Sequence, residues 1–136
     1  IKRLKEQIIT SVLFITHDLG VVAEVCDRVT VMYAGDTCET AEVKELFKRP
    51  LHPYTRALLK SVPKEEQQGE LATIPGTVPN LVSPPSGCRF HPRCPHAMQV
   101  CRDRKPPKVE YSPGHTVSCF LYPEEDYPIV ETGNGA

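Results

Sequence analysis

Cys88, Cys94, Cys101 and Cys119 are the side chains of this sequence best suited to chemistry. Three lie in CRFHPRCPHAMQVC and the fourth follows in GHTVSCF. Three clustered thiols and one remote thiol form the pattern of a four-cysteine site, which can hold tetrahedral zinc or an iron–sulfur cluster. The spacing, x5, x6 and x17, lacks the C-x2-C knuckles usual for structural zinc. It also lacks the x2, x2, x3 run of bacterial ferredoxins, so spacing alone leaves the metal open. The surrounding segment is rich in proline and poor in large apolar residues. A metal would therefore supply much of its folding free energy, and structural zinc in small peptides gives roughly 10–16 kcal/mol of apparent binding energy. Two disulfides, or an empty site, are the alternatives. Disulfides belong to secreted chains, and no charged leader with an apolar stretch and small-residue cleavage site is read here. His91, His96 and His115 are spare ligand candidates that would shift the site toward Cys3His zinc. Cys26 and Cys38 sit in apolar patterns away from the cluster and read as small buried hydrophobes.

The elements that must position these residues fall in two unlike halves. Fourteen prolines against eight glycines, most beyond residue 74, indicate extended and turning backbone in the second half. The first 62 residues alternate strand and helix signals. Ile1, Leu4 and Ile8 fit the last turns of an amphipathic helix. SVLFIT reads as a fully buried strand. Asp18 can cap a helix LGVVAEVC. RVTVMY is a second strand, Ala34-Gly35-Asp36 a tight turn, and TCET a returning strand. Thr40 is expected to cap a helix AEVKELFKR, stopped by Pro50, with a further helix from near Pro53. PKEEQQGE is a polar linker, and IPGTVPNLVSPP reads as a strap packing across the preceding core. The fold class is α/β. The expected organisation is 1–62 as an α/β part, 63–74 as linker, 75–122 as an irregular, proline-rich, metal-stapled extension and 123–136 as a disordered acidic tail.

Charge bounds the partners. The net charge of −1 over 136 residues argues against a general polyanion binder. Residues 88–108 nevertheless carry Arg89, Arg93, Arg102, Arg104, Lys105 and Lys108 against Asp103 alone. A free-standing metal module binding nucleic acid through this run is the alternative function. It calls for aromatic residues interleaved with the basic ones, and only Phe90 stands there. No apolar run reaches the roughly 18 residues of a membrane span. His17 follows SVLFIT directly, where ligands of open α/β sheets bind, beyond the carboxyl end of a strand.

The stretch LFITHDLGVVAEVCDRVTVMYAGDTCETA resembles the switch-histidine region of ATP-binding cassette (ABC) ATPases. FKRPLHPYTRALLKSVP, IPGTVPNLVSPPSGCRFHPRCPHAMQVC and PGHTVSC are similar to the C-terminal extension of ATPase subunits from oligopeptide and dipeptide importers. The resemblance covers about residues 8–120. It implies that residues 1–62 are the C-terminal part of a nucleotide-binding domain. It implies that His17 is the catalytic contact to the γ-phosphate, and that Cys88, Cys94, Cys101 and Cys119 hold a [4Fe–4S] cluster, with zinc as the alternative. The phosphate loop, the signature segment and the catalytic carboxylate of the family are not in this sequence. ATP and Mg²⁺ are thus expected only with a longer parent, of which this chain looks like the C-terminal part, and the chain alone is not expected to hydrolyse ATP. The implied partners are membrane permease subunits, a second ATPase subunit and a solute-binding protein, at the cytoplasmic face of the cell membrane. Nucleic acid is not among them, and the chain by itself is expected to self-associate.

Overall fold

In a computed structural model of the chain, residues 11–62 and 73–130 are described. The helix expected around Ile1, Leu4 and Ile8, most of the linker, and the last residues of the tail lie outside the described residues.

The first described helix, α1 (Leu19–Val25), begins where its cap dictates. The Asp18 carboxylate accepts from the amides of Gly20 at 2.9 Å and Val21 at 3.1 Å, satisfying donors that the first helical turn leaves open. Strands β1 (Arg28–Tyr33) and β2 (Asp36–Glu42) follow as an antiparallel hairpin. Its two turn residues, Ala34 and Gly35, have φ of 49° and 88°. Positive φ at both positions gives the mirror-image turn whose twist matches that of the strands.

Strand β2 runs further than TCET. Thr40 pairs across the hairpin with Thr30, the two hydroxyls 3.1 Å apart. Its side chain is therefore spent in the sheet and does not cap the next helix, as the sequence suggested. Helix α2 (Val43–Lys48) starts instead from Glu42, without a side-chain cap. Helix α3 (Pro53–Lys60) begins at the expected proline, and His52 Nδ1 accepts from the Tyr54 amide at 3.0 Å. Burial pushes the His52 imidazole down to about 4, against the pull of Glu39, so it stays neutral and keeps the lone pair this cap needs.

SVLFIT is not a strand. No strand flanks it among the described residues, and an isolated strand leaves its ladder groups unpaired. Val12, Leu13 and Ile15 are consequently 56, 89 and 89% exposed. The described sheet is antiparallel throughout, beginning with the returning hairpin strand that the sequence indicated.

The second half of the chain completes that sheet. A 3₁₀ turn at His91–Arg93 and helix α4 (Gln99–Asp103) precede β3 (Val109–Ser112) and β4 (His115–Val117). Strand β4 pairs with β2, Val117 opposite Glu39 and Thr116 opposite Thr40, giving the order β1-β2-β4-β3. The tail expected to be disordered is ordered as far as residue 130. Ile129 bridges Val109, and the amides of Glu110 and Val130 bond Pro128 O and Lys108 O, each at 2.8 Å. Tyr111 packs its ring against Tyr122 and Tyr127 at 5.4 and 5.3 Å. The expected strap is held at its start, where Arg93 donates to Ile74 O at 2.7 Å and Pro75 O at 2.9 Å. Val78, Leu81 and Val82 beyond it are exposed.

One buried carboxylate joins the halves. Glu39 accepts from the amides of Leu51 at 2.8 Å and His52 at 2.9 Å, and from His115 Nε2 at 2.7 Å. Around it lie three apolar clusters. They centre on Val31, Ala41 and Leu46, on Tyr33, Cys38 and Phe90, and on Leu51, Val109 and Val117.

The bare Val12–Ile15 stretch is expected to drive association of the chain with itself. Light scattering should show species larger than a monomer at micromolar concentration. Leu13→Asp with Ile15→Asp should return the chain to monomer; unchanged association would assign it to another surface.

Candidate metal centre

The four cysteines reach one place by four different local devices. Cys88 follows Gly87, whose φ is 65°. A Cβ there would fall 2.4 Å from Cys101 O and 2.8 Å from Arg102 O, so only glycine lets this segment lie against α4. The contact is closed by the Cys88 amide, which donates to Cys101 O at 2.8 Å. Cys94 ends the 3₁₀ turn, its amide donating to His91 O at 3.2 Å. Cys101 sits in the middle of α4 and its sulfur accepts from the Met98 amide at 3.5 Å. Cys119 is delivered by β4: the Ser118 amide before it donates to Cys38 O at 2.8 Å, continuing the β2–β4 ladder.

All four line one small hollow, with room for about one water-sized sphere and walls that include Phe90, Pro106, Phe120 and Leu121. It lies where two clusters meet. Cys88 and Cys94 pack on Tyr33 and Phe90, and Cys119 packs on Leu51, Val109 and Val117. Burial raises the thiols of Cys88 and Cys94 and pushes Cys119 up to about 12, and neighbouring cysteines add to each shift. Backbone amides beside them oppose it, Phe90 and His91 for Cys88, His96 for Cys94 and Leu121 for Cys119. Cys88, Cys94 and Cys119, so enclosed, resist ionising together unless a cation joins them. Among the described residues no three cysteine, histidine or acidic side chains are gathered tightly enough to make a finished ligand shell. The donor set itself suits a thiolate-bound metal: four sulfurs, one hollow and apolar walls.

The spare histidines divide. His91 and His96 border the hollow, His91 with Nδ1 2.9 Å from Cys88 O. His115 does not, because its Nε2 is committed to Glu39. Its Nδ1 has no hydrogen-bond partner among the described residues, and Glu45 Oε1 lies 3.9 Å away. Cys38 is a buried hydrophobe beside Phe90, as its pattern suggested, and burial pushes its thiol up to about 12. His17 is exposed, next to the α1 cap, and does not border the hollow.

The basic run is largely consumed within the chain. Asp36 pairs with both Arg89 and Lys105 at 3.1 Å, and Arg89 also donates to Ala34 O. Arg93 bonds the 74–75 backbone and the Tyr33 hydroxyl. Arg104 stacks over Phe120, 5.8 Å from the ring centre. Sequence reasoning missed Gly87 and Glu39, the partner of His115. A glycine directly before a clustered cysteine was the available signal for the first. Glu39 offered none, since the His115 imidazole that pairs with it is 76 residues away.

Residues 38–101 match the family described as oligopeptide/dipeptide transporter, C-terminal region, a span that holds three of the four cysteines. Over 86% of its length the chain is 55% identical to a probable peptide ABC transporter ATP-binding protein of Sinorhizobium fredii. Most of the chain is thus similar to ATP-binding proteins of peptide transporters. It is also 48% identical over 92% of its length to the oligopeptide transport ATP-binding protein OppD of Salmonella typhimurium. It is 47% identical over 98% of its length to the dipeptide transport ATP-binding protein DppD of Bacillus subtilis. The chain spans 36, 37 and 40% of these three relatives, respectively.

Gly87→Ala is expected to separate the Cys88 segment from α4. The clash with backbone and the positive φ together should cost roughly 1–3 kcal/mol. Urea unfolding should report the loss, and Cys88 and Cys101 should react faster with a thiol reagent. Unaltered stability and reactivity would show that the segment has room to spare.

Proposed function

We propose that this chain is the C-terminal part of an ATPase subunit that powers transport of oligopeptides or dipeptides, and that its cysteines hold a metal centre. The names of its relatives carry the first half of the reading. The convergence of Cys88, Cys94, Cys101 and Cys119 on one hollow carries the second. A [4Fe–4S] cluster is the favoured occupant and zinc the alternative. Either supplies the positive charge that four neighbouring thiolates need, and a cluster adds a redox couple. The residues of the chain do the rest. Phe90, Phe120 and Leu121 exclude water, Gly87 holds two ligand segments together, and β4 carries the fourth thiol to the other three. With metal bound, residues 75–122 act as a stapled extension to the part before residue 63.

The exposed His17 is free to meet a nucleotide held elsewhere in the parent subunit, where it would contact the γ-phosphate. The subunit would work at the cytoplasmic face of the membrane with permease subunits, a second ATPase subunit and a solute-binding protein. Among the described residues no helix is long and apolar enough to cross a membrane, in keeping with a peripheral place. A nucleic-acid role has less behind it, because Arg89, Arg93, Lys105 and Arg104 already serve internal contacts.

Chain purified without oxygen should be brown and contain iron and acid-labile sulfide in near-equal amounts. Acid and chelators should both release the metal, since thiolates bind it only when deprotonated. Cys119→Ala should abolish it, whereas Cys38→Ala should not. Colourless anaerobic protein with one zinc would replace the cluster and keep the site, and metal-free protein would remove both.

In a full-length subunit, His17→Ala should leave ATP affinity nearly unchanged and lower turnover roughly 100-fold or more, as expected for a group that acts when transition-state charge develops. Wild-type turnover in that variant would make His17 a packing residue.

A further inference from the structure

A second cavity, of about 470 Å³, lies beside the cysteine hollow. It opens between the Ala34–Gly35 turn, the Cys88–Phe90 segment and the Lys105–Lys108 loop, and Ile129 and Val130 of the tail form one wall. Cys88, Phe90, His52 and Pro106 border both spaces. The volume falls within the roughly 300–1,000 Å³ typical of small-molecule sites. Tyr33, Phe90, Pro106, Pro107 and Ile129 make much of its surface apolar.

The charges are unbalanced. Arg89, Lys105 and Lys108 face the cavity, and Asp36 is the one acidic residue in its lining. Asp36 is shared by Arg89 and Lys105, each at 3.1 Å. Lys108 has no side-chain hydrogen bond or ion pair among the described residues, although its backbone is fixed through Val130 N→Lys108 O at 2.8 Å. An ammonium held at an apolar cavity, with the nearby carboxylate already doubly paired, is completed by an anion brought from outside. We infer that this cavity binds a small amphipathic organic anion, its carboxylate or sulfonate on Lys108 and its apolar body against Phe90 and the two prolines. A neutral molecule would leave the excess charge unanswered, and a cation would meet it.

The probe is 8-anilinonaphthalene-1-sulfonate, an apolar body with one sulfonate, titrated by fluorescence into the full chain. Its neutral relative N-phenyl-1-naphthylamine serves as the uncharged comparison. The titrations use the Leu13→Asp, Ile15→Asp background, so that the exposed apolar stretch does not take up dye. Binding of the sulfonate should saturate at one site. Lys108→Glu should weaken it roughly fivefold or more, the effect of reversing a partly exposed ionic partner. Lys60→Glu, the same charge change on the exposed face of α3, should leave it within about twofold. The neutral dye should not distinguish Lys108→Glu from the unaltered protein. Equal weakening by the two lysine variants would reduce the effect to net charge and overturn the proposal. So would sulfonate binding indifferent to Lys108, or a neutral dye that loses as much affinity as the charged one.

Discussion

The buried Glu39 carboxylate is the constraint on which the rest depends. It is 1% exposed and carries three donors: two consecutive backbone amides at the start of α3 and one imidazole from β4. A carboxylate so enclosed is tolerable only while all of them stay in place. Losing one partner leaves a buried polar group unsatisfied, at a cost of about 1–3 kcal/mol. The sheet, the helix pair and the second half of the chain are therefore bound to a single group.

That group also governs the cysteine site. Holding His115 fixes β4 on β2, and β4 leads through Ser118 straight to Cys119. Holding the Leu51 and His52 amides fixes the start of α3, and His52 is a wall of the hollow. The fourth thiol is remote in sequence, and a clip near the centre of the sheet brings it home. In the proposed metal centre, binding and sheet formation would reinforce each other, because a thiol already placed by the sheet lowers the ordering cost of the site. The ordered tail extends the same construction, since Ile129 and Val130 lie along β3 and close the second cavity from one side.

What could be read from the sequence was local. Asp18 before LGVVAEV announced a cap, Ala34-Gly35 a hairpin, and Pro53 a helix start, because each signal and its partner lie within a few residues. The four cysteines announced a shared site by type alone. SVLFIT failed because a strand exists only through its neighbours, and a sequence run does not state whether they are near. Thr40 failed because its hydroxyl had two possible partners, and the cross-strand Thr30 took it. Strands β3 and β4 are four and three residues long, too short for alternation to stand out, although Pro113-Gly114 between Val109–Ser112 and His115–Val117 marked the turn. Glu39 looks like any exposed strand glutamate until β4 covers it. Likewise the basic run suggested a polyanion surface because its internal partners, Asp36, Ala34 and Ile74, lie in other segments.

The central claim is that the Glu39 clip, rather than apolar packing alone, holds the second half of the chain to the first. Amide hydrogen exchange in Glu39→Ala tests it most directly, with the β1–β2 hairpin as internal reference. The account predicts that the Ser118 amide, bonded to Cys38 O across the β2–β4 ladder, loses far more protection than the amides pairing β1 with β2. Protection at Ser118 that falls no further than the hairpin's would contradict it.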